Sequence, residues 1–231
     1  IGRYTHALAI DPNRQMPSLG KSFDTQTALD HLGRVIEKEN QLLLELISVF
    51  RPQRIVNLHA IRDKARAGIY ADPRTNSRGI ALGYETDSSL AVDMARYIHQ
   101  SGGSTSGNEL EKRPTALYYK DPVIVPKGFL QKRNINSNVL IKGKGHGVSL
   151  GSWASTAVED SINPGNNRNA IRLITVEFPG YKRPIDYKTI TQQNYYQRQV
   201  QLYAGAVKTI FLGNHYTEQE MINSAEATAK K

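Results

Sequence analysis

Two apolar runs in this sequence lead into residues that can do chemistry. Ile171, Leu173, Ile174 and Val176 run into Glu177, and Phe178-Pro179-Gly180 then breaks the pattern. Arg54-Ile55-Val56-Asn57-Leu58 runs in the same way into His59. Short apolar runs bounded by turn residues predict buried strands, and open α/β sheets build their sites at strand ends. A neutral imidazole serves as a metal ligand or base, and a carboxylate beside a metal takes a proton from bound water. The pair therefore fits a hydrolytic metal site, with an exposed Glu closing a strand as the plain alternative.

The elements that must position this pair can be read outward from it. Asp11-Pro12-Asn13-Arg14-Gln15-Met16-Pro17 reads as a loop carrying an arginine, a residue that meets carboxylates through two parallel hydrogen bonds. Leu29, Leu32, Val35, Ile36, Leu42, Leu43, Leu46, Ile47 and Phe50 recur at helical spacing, which predicts a helix over residues 25–50 that Pro52 stops. Residues 60–86 read as a long loop over the end of the sheet, with Asp72-Pro73-Arg74-Thr75-Asn76 as a turn. Asp87 or Ser88 caps a second helix reaching His99, with Leu90, Ala91, Met94, Ala95 and Ile98 on one face. Residues 101–108 (SGGSTSGN) read as a mobile loop.

Farther on, Val123-Ile124-Val125 and Val139-Leu140-Ile141 are short strand-like runs. Glycines 143, 145, 147 and 151 lead into Trp153, the single tryptophan. A last helix is expected over residues 195–212, buried along Val200, Tyr203, Val207, Ile210 and Phe211 and closed by Gly213-Asn214. Residues 1–214 form one domain in this reading, and residues 215–231 are a polar tail. Alternation of helices and strands gives an α/β fold.

Composition narrows the chemistry. The 231 residues, 39% of them hydrophobic, suffice for a core, and no apolar run approaches the length of a membrane span. The chain has no cysteine, so any metal is held by His, Asp or Glu. A net charge of +9 favours anionic neighbours, yet the basic residues are scattered and no nucleic-acid-reading pattern occurs. Ile1 is not a natural start residue, so the chain is expected to begin inside a longer protein.

Three motifs occur in order: Asp11-Pro12-Asn13-Arg14, Asn57-Leu58-His59-Ala60 and Thr175-Val176-Glu177-Phe178-Pro179-Gly180-Tyr181. Together they resemble the later two-thirds of the zinc carboxypeptidase domain of the M14 (funnelin) family, over roughly residues 7–212. The Gly151-Ser152-Trp153 segment stands where that family often has a site-lining Ser-x-Asp-Trp stretch. The resemblance implies a mixed, mostly parallel twisted sheet of eight strands with helices on both faces, one zinc ion with His59 as its third ligand, and Glu177 as general base. It also implies that Asn13 and Arg14 hold the terminal carboxylate of a peptide substrate, with Ser152 and Trp153 lining the cleft.

The departures shape the expectation. The stretch upstream of Asn13 contains no His-x-x-Glu pair, so two zinc ligands are expected upstream of Ile1. His215-Tyr216-Thr217-Glu218 has that spacing but lies on the wrong side of the family order, and Ser155 stands where many members carry a tyrosine. Gly145-His146-Gly147 and the arginines 62, 66 and 74 are further residues that could face the cleft. The expected function is a zinc metallopeptidase trimming a C-terminal residue or a cell-wall peptide, with a periplasmic or secreted location favoured. The alternative is a catalytically inactive, carboxypeptidase-like peptide-binding module, with neither nucleic acid nor a membrane span involved.

Overall fold

The structure is a computed structural model describing residues 3–5, 8–62, 64–72, 74–78, 80, 82, 85–108, 115–117, 124–126, 147–180 and 182–213. Along the chain stand β1 (Arg3–Thr5), β2 (Leu8–Ile10), α1 (Lys38–Phe50), β3 (Arg54–Ile61), β4 (Gly68–Asp72) and α2 (Glu85–Gln100). There follow β5 (Thr115–Leu117), β6 (Ile124–Pro126), α3 (Leu150–Ala154), β7 (Arg172–Pro179) and α4 (Ile190–Ala206), which continues as a π turn over Val207–Phe211. β1 with β2 and β5 with β6 form separate antiparallel pairs.

The strand β7 organises the rest. It lies at the centre of a sheet ordered β3-β7-β4, parallel to β3 and antiparallel to β4. Leu173, Ile174, Thr175 and Val176 are all buried, as a strand covered on both faces requires. Side chains alternate across the sheet. Ile174 and Val176 face a core built with Leu90, Met94 and Ile98 of α2 and Tyr203 of α4. Leu173 faces the opposite core, with Leu44 and Ile47 of α1 and Trp153 of α3. Helices therefore cover both faces and the architecture is mixed α/β, although among the described residues the sheet has three strands and only one of its two pairings is parallel.

Several boundaries differ from the sequence reading. The first helix starts at Lys38, not near residue 25; Leu29 and Val35 instead form an isolated antiparallel bridge. Its buried residues are Asn40, Leu44 and Ile47, while Leu42, Leu46 and Phe50 are exposed. The run QLLLELISVF is apolar on more than one helical face, so periodicity does not select the inward one. The second helix starts at Glu85, leaving Asp87 and Ser88 inside it, and its expected stripe is fully buried. α4 begins at Ile190, where the Thr189 hydroxyl caps it by accepting from the Gln192 N–H at 3.2 Å. Val139-Leu140-Ile141, His146 and residues 214–231 lie outside the described residues.

The segment expected as a long loop after His59 contains the third strand, β4, and the segment expected as mobile completes that strand's outer edge. The Ile69 N–H donates to Asn108 Oδ1 at 2.8 Å, and Asn108 Nδ2 donates to the Ile69 carbonyl at 2.8 Å. One buried amide thus replaces a neighbouring strand at that position. Gly107 N donates to the Ala67 carbonyl at 2.7 Å, and the Tyr203 hydroxyl donates to the Ser104 carbonyl at 2.7 Å. Buried backbone groups left without partners cost about 1–3 kcal/mol each. Asn108→Leu keeps the side chain's approximate volume and removes both bonds, so urea unfolding is expected to show a loss of about 2–4 kcal/mol. A loss below about 0.5 kcal/mol, the range of ordinary surface changes, contradicts the edge role.

Candidate functional site

His59 and Glu177 do not terminate their strands; each has two further strand residues beyond it. Their relation is nevertheless close. In the parallel pairing of β3 with β7, Asn57 stands opposite Thr175 and His59 opposite Glu177. Residues so paired lie about 4.8 Å apart between strands, with side chains on one face. Ile55 and Leu173, lower on that face, join the core with α1 and α3. The face is thus apolar at the beginning of the strands and polar toward their carboxyl ends.

A turn from the start of the chain covers His59. Pro12–Arg14 forms a 3-10 turn, opened by Asp11 Oδ1 accepting from the Asn13 N–H at 2.9 Å. Asn40 Nδ2 of α1 donates to the Pro12 carbonyl at 2.8 Å, and Arg34 Nη2 donates to the Arg14 carbonyl at 2.8 Å. Arg34 is itself held by Asp30 at 2.6 Å, and Met16 bridges to Val148. Gly147, with φ +128°, passes so close to the Arg14 carbonyl that a Cβ would collide with it.

This scaffold aims Asn13 at the imidazole. Asn13 Oδ1 accepts from the Leu150 N–H at 3.0 Å, and Asn13 Nδ2 lies 3.2 Å from His59 Nε2. The first bond fixes the amide orientation, because a backbone N–H can only donate to the oxygen. Nδ2 must then donate to Nε2, so His59 is the neutral tautomer carrying its proton on Nδ1. Electrostatics agree: burial lowers the His59 pKa, with Asp11 opposing and Arg14 adding to the shift. Arg14 Nη1 donates to the Asn13 carbonyl at 2.7 Å, placing the guanidinium beside the same turn.

Glu177 is half-buried, and burial raises its carboxyl above the ordinary glutamate value, with the Asp72 charge as the second cause. Asp72 ends β4, is buried, and accepts from the Thr175 hydroxyl at 2.7 Å. Gly151 of α3 packs against that carboxylate; a Cβ there would stand 2.6 Å from Oδ1. Asp72 and Thr175 are site residues that the sequence reading does not reach. The signal for Asp72 is the short run Gly68-Ile69-Tyr70-Ala71-Asp72, hidden among arginines and glycines, whereas Thr175 lies inside the apolar run of β7.

The other expected site residues divide. Asn13, Arg14, His59 and Glu177 gather at the polar end of the sheet. Trp153 does not line a cleft there: it is 1% exposed, and its indole N–H donates to the Lys21 carbonyl at 2.9 Å. Ser152 is engaged within its own helical turn, where its N–H and hydroxyl both meet the Ser149 hydroxyl at 3.1 Å. Arg74 follows Asp72, whose partner Leu173 lies near the start of β7, so it stands at the opposite end of the sheet from Glu177. Among the described residues, no three His, Asp or Glu side chains cluster so as to hold a metal ion.

Neither a family model, nor a curated protein, nor a solved structure matches this chain.

The two titrating groups of the site act on stability in opposite senses. A raised carboxyl means that, between the ordinary value of 4.5 and the native one, the folded chain binds more protons than the unfolded chain. Stability from this group therefore falls as pH rises through that window. His59 behaves inversely: its lowered value makes stability fall as pH drops below the ordinary 6.5. Glu177→Gln removes the first loss. In urea unfolding, the stability of this variant relative to the parent is expected to increase from pH 4.5 toward neutrality. A pH-independent difference contradicts the raised carboxyl.

Proposed function

We propose that this chain carries the later part of a carboxypeptidase-type hydrolytic site, cleaving the C-terminal bond of a peptide with a free carboxylate. The observation that supports the reading best is the register of β3 and β7, which aligns a neutral imidazole with a protonation-prone carboxyl on one polar face. A general base works best when its pKa lies near the operating pH, and burial moves Glu177 in that direction. In this role Glu177 takes a proton from the attacking water and returns it to the leaving amine. Arg14 offers a planar cation to the substrate carboxylate, and Asn13 sits between it and His59.

The zinc ion that the family resemblance implies does not fit the described residues alone. They supply one imidazole at the site, and its acceptor nitrogen already receives the Asn13 amide. One imidazole does not hold zinc against water. Hydrolysis through zinc therefore needs two further ligands from outside the described residues. The Asn13–His59 bond also favours a second reading, an inactive module that binds a peptide carboxylate without cleaving it.

Zinc content and peptidase activity, measured on the longest available form of the protein, separate the two. Hydrolysis expects one zinc per chain that His59→Ala loses, and a kcat lowered about 10²–10⁴-fold by Glu177→Gln. Full activity in Glu177→Gln overturns the base role. Peptide binding without zinc or turnover selects the binding module.

A further inference from the structure

The strongest unassigned feature lies at the other end of the sheet, where β3 and β7 begin. A cleft of about 690 Å³ opens there, and five arginines line it: Arg51, Arg54, Arg74, Arg168 and Arg172. Among the described residues, Glu159 is the one acidic side chain in its wall, and its Oε2 accepts from the Ser77 hydroxyl at 2.7 Å. Arg54 stands five positions before His59 on the same strand, about 17 Å at the usual strand rise. The cleft is thus separate from the His59–Glu177 face and independent of the reading given to it.

Arg168 sets the character of this cleft. Its guanidinium stacks over the Trp153 ring, 4.6 Å from the centroid. Its donors reach the carbonyls of Ala154 at 2.7 Å, Asn169 at 3.3 Å, Trp153 at 3.1 Å and Thr156 at 3.2 Å. Its partners among the described residues are carbonyls and a ring, with no carboxylate. Burial without a balancing anion draws its pKa down to about 10. The carbonyls satisfy its hydrogen bonds but do not neutralise its charge.

Two of the neighbouring arginines, Arg51 and Arg54, are also held by carbonyls or a ring. Arg51 takes the left-handed conformation that ends α1 and donates from Nη2 to the Gly165 carbonyl at 2.5 Å. Arg54 lies over the Phe211 ring at 5.2 Å and donates to the Gly213 carbonyl at 3.4 Å. Gathering like charges in one concave wall costs free energy unless an anion joins them, and a cleft focuses the resulting field.

We propose that this cleft binds a phosphate-bearing ligand carrying two or more negative charges. The number and spread of the arginines favour phosphate over a carboxylate. One carboxylate occupies a single guanidinium fork, whereas phosphoryl groups present several acceptors to cations arriving from different walls. The cleft is also larger than one carboxylate needs.

Pyrophosphate, inorganic polyphosphate and acetate serve as probes, titrated calorimetrically into the whole chain at matched ionic strength. Pyrophosphate is expected to bind saturably, with one site per chain, and acetate not to compete. Arg54→Gln/Arg172→Gln, and separately Arg51→Gln/Arg74→Gln, are expected to weaken binding tenfold or more without altering the circular dichroism. Arg183→Gln removes an exposed arginine paired with Asp186 at 2.9 Å, outside the cleft, and is expected to leave binding unchanged. Polyphosphate binding more tightly per phosphate than pyrophosphate points to a polymer-borne group, and equal binding to a small phosphorylated ligand. Binding that acetate abolishes at matched ionic strength overturns the proposal. So does binding that Arg183→Gln weakens as much as either cleft double variant.

Discussion

The parallel pairing of β3 with β7 is the constraint from which the rest of this structure follows. A slip of one residue would turn every side chain of β3 to the opposite face. Ile55 would leave the core beneath α1, and His59 would leave the polar face it shares with Glu177. The apolar residues at the start of the strands therefore fix the polar residues at their ends. The same pairing starts both strands with arginine, so the basic cleft and the polar face are opposite consequences of one register.

The second level of organisation is a chain of backbone and amide hydrogen bonds between distant segments. Asn40 holds the Pro12–Arg14 turn, that turn presents Asn13, and Asn13 links Leu150 to His59. Each bond is modest in net terms, at about 1 kcal/mol, and together they fix the turn against α1, α3 and β3. The imidazole's tautomer is set through this chain by the first backbone N–H of a short helix. A metal approaching His59 through Nε2 must displace Asn13. Approach through Nδ1 must shift the proton and turn the amide away from Leu150. His59 is thus positioned as a hydrogen-bond acceptor before it is available as a ligand.

How much of this is legible in the sequence depends on which forces leave a local trace. β7 is readable because a strand buried on both faces is an apolar run, β3 because it keeps such a run although it is only half-buried, and α2 because its inward stripe is regular. Glu177 and His59 stand out as lone polar residues after such runs. The start of α1 is obscured because Leu29, Leu32 and Val35 keep a helical spacing while belonging to turns and a bridge. β4 leaves little trace because its outer edge is satisfied by a side chain 39 positions along the chain, Asn108, in a segment whose composition resembles a linker. The family resemblance puts Trp153 in a substrate cleft, whereas its burial under Arg168 makes it part of the core. The five-arginine cleft is assembled from segments far apart in the chain, and no local pattern announces it.

The measurement closest to the central claim is a disulfide test of the register, made clean by the absence of native cysteine. Laterally paired strand residues fall within the Cα separation that a disulfide spans. His59→Cys/Glu177→Cys is expected to cross-link under mild oxidation, read as the loss of two hydrogens by mass spectrometry. His59→Cys/Val176→Cys, whose side chains emerge on opposite faces, is expected to stay reduced. Cross-linking of the second pair in preference to the first would contradict the register, and with it the alignment of imidazole and carboxyl on which the site depends.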